Sequence, residues 1–216
     1  CSLDGGAYSV CTPPAAVSSL SPGDHTYRVV AVDSVGNAGD AVSATWTVGD
    51  LPATPTIGSK PSAQTSSTSA SVSFSSTDTG GTFQCSLDSG AYAACTSPKS
   101  LSGLSEGVHT FSVRGANSVG TGTSTQTTWT VDRTAPDAPS VNGTVTGTSS
   151  STSQSISWTG ESGATATCSV DDSAFASCTK PKSLTGLADG LHGVTVKLTD
   201  AAGNTSSNGS FTWTVD

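Results

Sequence analysis

The chain has 216 residues and a formal charge of −8, with eight basic residues scattered from Arg28 to Lys197, which argues against nucleic-acid and acidic-lipid partners. Charged residues make up 11%, aromatics 6%, and methionine is absent; no amphipathic helical stretch and no run of about eighteen apolar residues occurs, so no membrane span is expected. The Gly-, Ser- and Thr-rich composition reads as all-β, and with Cys at position 1 any export signal is expected outside this segment.

One unit recurs three times. Cys1, Cys85 and Cys168 are followed at matching positions by His25, His109 and His192, then by Trp46, Trp129 and Trp213, in steps of 83 or 84. The shared text is C-S-[LV]-D, six residues, C-T-x-P-x-x-[VL]-x-x-L-x-x-G-x-H, an alternating strand, a Gly-containing turn and W-T-V. A fixed period of this kind marks a repeat architecture.

In chain order, residues 1–50 hold the later part of a repeat, without the front strands. Residues 51–134 hold a complete repeat and residues 135–216 another. VGDLPATP (48–55) and TVDRTAPDAP (130–139) are the Pro-bearing connectors, expected to be short and stiff. Within the second repeat, seven short strands are predicted: near Thr56, then Ala70 to Ser75, Thr82 to Asp88, Tyr92 to Thr96, near Leu101, His109 to Ala116, and Ser124 to Val131. Phe83, Cys85 and Leu87 alternate onto one face, as do His109, Phe111 and Val113, and Trp129 and Val131. The front half of the unit appears only twice, where Val72 and Phe74 in SVSF match Ile156 and Trp158 in SISW, and the first copy lacks it. Seven short strands in about 80 residues predict a sandwich, so the fold class is all-β: tandem seven-stranded immunoglobulin-like β-sandwiches.

The six cysteines form three pairs ten residues apart: Cys1 with Cys11, Cys85 with Cys95, Cys168 with Cys178. Zinc sites favour closer spacing, so each pair is predicted to be a hairpin disulfide. Cys85 and Cys95 are equidistant from Gly90, and a turn around Ser89 to Ala91 is expected to set them opposite each other. Such bridges point to an extracellular or cell-surface compartment.

LSPGDHTYRVVAVDSVGN (20–37), LSEGVHTFSVRGANSVG (104–120) and LADGLHGVTVKLTDAAGN (187–204) resemble the bacterial immunoglobulin-like repeats of large secreted and surface proteins, and also fibronectin type III modules. The resemblance implies a β-sandwich used as a spacer or adhesive unit. It names no ligand.

The histidines each sit alone in their own repeat, on the strand parity of the apolar residues that follow. They are read as structural, near the place where a fibronectin-like sandwich has its corner tyrosine. Trp46, Trp129 and Trp213 are read as core plugs. Asp33, Gly36 and Asn37, with Asp200, Gly203 and Asn204, suggest calcium, but Asn117, Gly120 and Thr121 in the second copy weaken an oxygen cage. A tight turn with Gly at positive φ accounts for all three. Tyr8, Tyr92 and Phe175, three residues before the second cysteine, point outward at the hairpin tip and are candidate contacts with a neighbouring repeat or chain. Asn142, Asn204 and Asn208 begin N-x-[ST] sequons and are candidate glycosylation sites, and the Ser/Thr runs at Ser66 to Ser69 and Thr148 to Ser153 are candidates for O-linked sugar.

No nucleophile elbow or paired carboxylate occurs, so neither catalysis nor a cofactor is expected. The leading expectation is a structural repeat of an extracellular stalk, fibre or adhesin, with neighbouring repeats, or other copies of the chain in a fibre, as partners. The alternatives are an accessory module of a secreted carbohydrate-active enzyme and an adhesive ligand-binding domain. The incomplete first repeat leads to the expectation that the segment belongs to a longer array.

Overall fold

The computed structural model describes residues 1–78 and 81–216. Alternation of apolar and polar residues decides its strands. In β11 (Gly107–Ala116) His109, Phe111 and Val113 point inward and are buried, while Val108, 70% exposed, points to solvent.

In the second repeat, β11 lies in a five-stranded sheet with β5 (Gln64–Thr65), β8 (Thr82–Leu87), β9 (Ala93–Cys95) and β12 (Thr125–Val131), ordered β5-β12-β11-β8-β9. Facing it is a layer made by β4 (Thr56–Ile57) paired with β7 (Phe74–Ser75), and β6 (Ala70–Val72) paired with β10 (Lys99–Leu101). Val72 and Phe74 from this layer meet Phe111, Val113, Trp129 and Val131 from the other, forming the core.

The expected strand Ala70 to Ser75 is interrupted at Ser73. Its carbonyl accepts from Gly58 N, its amide donates to Ser59 O, and its hydroxyl takes the Ser59 amide at 2.7 Å. Two residues oppose one, which is a bulge, and the hydroxyl that competes for a backbone donor is its local cause. A second departure is β5, which pairs parallel with β12. Two residues in a Ser/Thr-rich stretch carry no alternation to reveal it.

The third repeat repeats the plan. β13 (Ser140–Gly143), β15 (Ser153–Thr159) and β18 (Lys182–Thr185) form the three-stranded layer, with β15 uninterrupted. β14 (Gly147–Ser149), β16 (Thr165–Val170), β17 (Ala176–Ser177), β19 (Gly190–Thr199) and β20 (Gly209–Val215) form the other, ordered β14-β20-β19-β16-β17. Ile156, Trp158, Val194, Val196 and Trp213 are buried between them.

The first repeat has β1 (Ser2–Leu3), β2 (Gly23–Val29) and β3 (Val42–Val48) in one antiparallel sheet. Among the described residues no second layer covers its inner face. Val29 is therefore 43% exposed where Val113 and Val196 are at 0%. Trp46, expected as a core plug, is only half-buried for the same reason, whereas Trp129 and Trp213 are 2% exposed.

Candidate functional site: the hairpin corner and the connectors

Each residue of C-S-[LV]-D has a separate task. Cys85 is bridged to Cys95, Cys1 to Cys11 and Cys168 to Cys178, each with a Cα–Cα separation of 5.8 Å. Ser86, buried, closes the hairpin by donating its hydroxyl to Gly90 O at 2.6 Å; Ser2 does so to Gly6 O, and Ser169 to Ser173 O. Leu87 packs against the core. Asp88 takes a left-handed backbone, φ 51°, as Asp4 and Asp171 do at 50° and 45°. A short polar side chain that bonds locally tolerates that region.

The register corrects the expected position of the cysteines. Cys85 stands opposite Ala93, and Cys95 opposite Phe83, so the bridge is diagonal. Cys168 likewise faces Ala176. The turn is centred one residue earlier than Gly90, because Asp88 and Ser89 both adopt positive φ. Strand twist brings one diagonal within reach of a bridge.

The aspartates fasten this hairpin to the long strand beside it. Asp88 Oδ1 accepts the Thr110 amide at 2.8 Å, and Oδ2 lies 2.7 Å from His109 Nδ1. The other ring nitrogen of His109 is 2.8 Å from Ser105 O. Asp4, His25 and Ser21 repeat the arrangement, as do Asp171, His192 and Ala188. Each ring lies by its tryptophan, with centroids 6.0, 5.9 and 5.6 Å apart. His25 and His109 are buried, but the His192 side chain is 12% exposed. The sequence signalled the histidines but not their aspartate partners, 21 residues away, since only the fold joins them. The indole N–H groups of Trp129 and Trp213 are buried without a hydrogen-bond partner.

These contacts shift titration. The bond to Ser105 O, then that to Asp88, raises the His109 pKa above its ordinary 6.5, against burial. Burial pushes Asp88 up, but the Thr110 amide and His109 together outweigh it, and its pKa falls below 3.8.

The outward aromatics meet cations of their own repeat. The Arg114 guanidinium sits 4.0 Å from the Tyr92 ring centroid, held by two bonds to Gln84 Oε1, and the Lys197 ammonium sits 4.4 Å from Phe175. Tyr8, 52% exposed, has Val30 where Tyr92 has Arg114, and lines an apolar cleft with Val10, Val30 and Val32. The partner the structure gives to Tyr92 and Phe175 is thus local packing.

The aspartate-glycine motif forms turns. Asp33 Oδ1 accepts from Val35 N and Asn37 N, Asp200 Oδ1 from Ala202 N and Asn204 N, and Asn117 Oδ1 from Val119 N and Gly120 N. Gly36 and Gly203 have positive φ, 93° and 94°, but Gly120 does not. In the second repeat the turn closes from Asn117 N to Gly120 O, one residue sooner than Asp33 N to Asn37 O or Asp200 N to Asn204 O. That missing residue accounts for the alternation of 83 and 84 in the repeat period.

These turns also receive the connectors. Asn117 Nδ2 donates to Asp50 O, and Asn204 Nδ2 to Asp132 O, both at 2.8 Å. A β-carbon on Gly122 would fall 2.0 Å from Pro52 O, and one on Gly209 2.0 Å from Pro139 O, so glycine lets the connector backbone lie against the sheet. Thr134 Oγ1 reaches Glu106 at 2.6 Å, and Ser66 N reaches Ala202 O at 3.1 Å. Among the sequons, Asn142 and Asn208 are exposed. Asn204 is half-buried, and its amide nitrogen bonds both Asp132 O and Asp200 Oδ2; a sugar there would displace one of these bonds.

No family model and no curated protein matches the chain. Among solved structures, the fibronectin(III)-like modules of Clostridium thermocellum CbhA share 15% identity over 75% of this chain and 94% of that one, at a TM-score of 0.43. The chicken CNTN1 FN1-FN3 domains share 12% over 89% and 75%, at 0.41. A structure bearing on host cell surface retention of a 1.5-MDa bacterial ice-binding adhesin shares 19% over 91% and 76%, at 0.42. The layering within the chain, a five-stranded sheet facing two strand pairs in the second repeat and three strands in the third, each around its own core, is the deciding feature. By fold the chain is a tandem array of fibronectin type III-like, immunoglobulin-like β-sandwich repeats. Such sandwiches serve as structural or binding modules on many unrelated proteins.

Proposed function

We propose that this repeat protein is a structural segment of an extracellular stalk, fibre or adhesin, with units at residues 1–50, 51–134 and 135–216, that holds what it carries at a set distance and orientation. The observation behind this reading is that both connectors are tied down in the same way, by the Asn117 and Asn204 amides on the carbonyls of Asp50 and Asp132. A loose tether needs neither bond. A spacer that transmits orientation needs both, because relative motion is the default for modules whose junctions are not fixed. Bridging of all six cysteines supports an oxidising compartment.

Small-angle X-ray scattering of the chain tests the reading. The expected curve fits a single arrangement of the units, and the Asn117→Ala/Asn204→Ala variant should need a broader set of distances with its far-ultraviolet spectrum unchanged. A wild-type curve that already requires freely pivoting units would defeat the spacer proposal.

A further inference from the structure

The histidine corner occurs three times with one geometry, and that geometry constrains protonation. Nδ1 lies 2.7, 2.7 and 2.8 Å from Oδ2 of Asp4, Asp88 and Asp171. Nε2 lies 2.6, 2.8 and 2.8 Å from the carbonyl oxygens of Ser21, Ser105 and Ala188. An ionised carboxylate and a peptide carbonyl are acceptors only. A neutral imidazole carries one N–H, so in either tautomer one ring nitrogen would turn its lone pair toward an oxygen lone pair at hydrogen-bond distance. Only the doubly protonated ring satisfies both contacts.

We infer that His25, His109 and His192 stand as imidazolium cations at neutral pH, each a charged clamp that fastens the disulfide hairpin to the long neighbouring strand and to the corner loop before it. The surroundings agree from every side. From the hairpin the facing groups are Asp4, Asp88 and Asp171, and Asp24 adds its charge beside His25 on the same strand. From the corner loop, Glu106 and Asp189 follow the accepting residues Ser105 and Ala188 and are exposed acids. From the last strand of each repeat come neutral tryptophans. The pKa of each histidine is raised, first by its bond to the carbonyl and then by its aspartate.

Two consequences follow. With both nitrogens donating, these rings are closed to metal ligation and to general-base chemistry, which need a free lone pair. The formal charge of −8, which counts the three histidines as neutral, becomes −5 with all three charged.

Proton and nitrogen NMR of the imidazole rings in the intact chain tests this. The expected result is two N–H protons per ring at pH 7.5, and a deprotonation midpoint displaced upward from that of free histidine. The companion variant is Asp88→Asn. Its amide oxygen still accepts from Thr110 N while its NH2 donates to Nδ1, so His109 then needs only the Nε2 proton, and asparagine tolerates the positive φ. The His109 midpoint should fall toward that of free histidine, while those of His25 and His192 in the same sample stay put. Neutral rings in the wild type at pH 7.5, or an unchanged His109 midpoint in a folded Asp88→Asn chain, would overturn the inference. The wild-type titration decides it even if the variant does not fold.

Discussion

Removing the Cys85–Cys95 bridge by the double substitution Cys85→Ala/Cys95→Ala isolates what the staple contributes. The bridge closes a separation of 10 residues, for which the chain-entropy relation gives about 2.7 kcal/mol of lost stability. Much of the hairpin survives the change. Phe83, Gln84 and Cys85 still pair with β9, Ser86 still bonds Gly90, and Asp88 still holds Thr110, so the repeat is expected to fold. A sandwich of about 80 residues unfolds with roughly 170 cal/mol/K of entropy, and the loss therefore corresponds to a Tm lowered by about 15 °C. Differential scanning calorimetry reads this directly, because the third repeat keeps its own bridge and should hold its transition while that of the second moves down. A fall of less than about 4 °C would refute the entropic account, and equal falls in both transitions would refute the independence of the two cores.

Three further outcomes are expected. A histidine raised on folding stabilises fully below its free pKa and loses that contribution as pH climbs through the raised value; a lowered aspartate stabilises above its free pKa and loses it as pH falls through the lowered one. With His109 raised from 6.5 and Asp88 lowered from 3.8, Tm measured against pH should be greatest between those two values and decline on either side. Val113→Ala, at a side chain with 0% exposure, should cost about 2 to 3 kcal/mol in chemical denaturation, whereas Val29→Ala, at the matching but 43% exposed position, should cost under about 0.5 kcal/mol. Arg114→Ala should lower the stability of the second repeat by about 0.5 to 1 kcal/mol through loss of its contact with Tyr92, with no change in oligomeric state by light scattering.

The sequence by itself determined the class, the period and the pairing of the cysteines. Alternating Phe83, Cys85 and Leu87, or His109, Phe111 and Val113, has only one way to bury its apolar members, and a ten-residue cysteine spacing repeated three times has few geometries. Those signals are local, and they are carried by side-chain type. Tertiary structure decided the rest. The diagonal setting of Cys85 and Cys95 depends on two left-handed residues in the turn, and the edge strand β5 on the pairing of Gln64 and Thr65 with Thr130 and Val131, far along the chain. The aspartate of C-S-[LV]-D meets its histidine 21 residues downstream, and Asn204 reaches the carbonyl of Asp132 across 72. The burial of Trp46 also escaped the repeat text, since W-T-V is the same in all three copies while the facing layer is not. Contacts between a side chain and a distant backbone carbonyl leave no period in the sequence, because any residue supplies a carbonyl and only the fold selects which one.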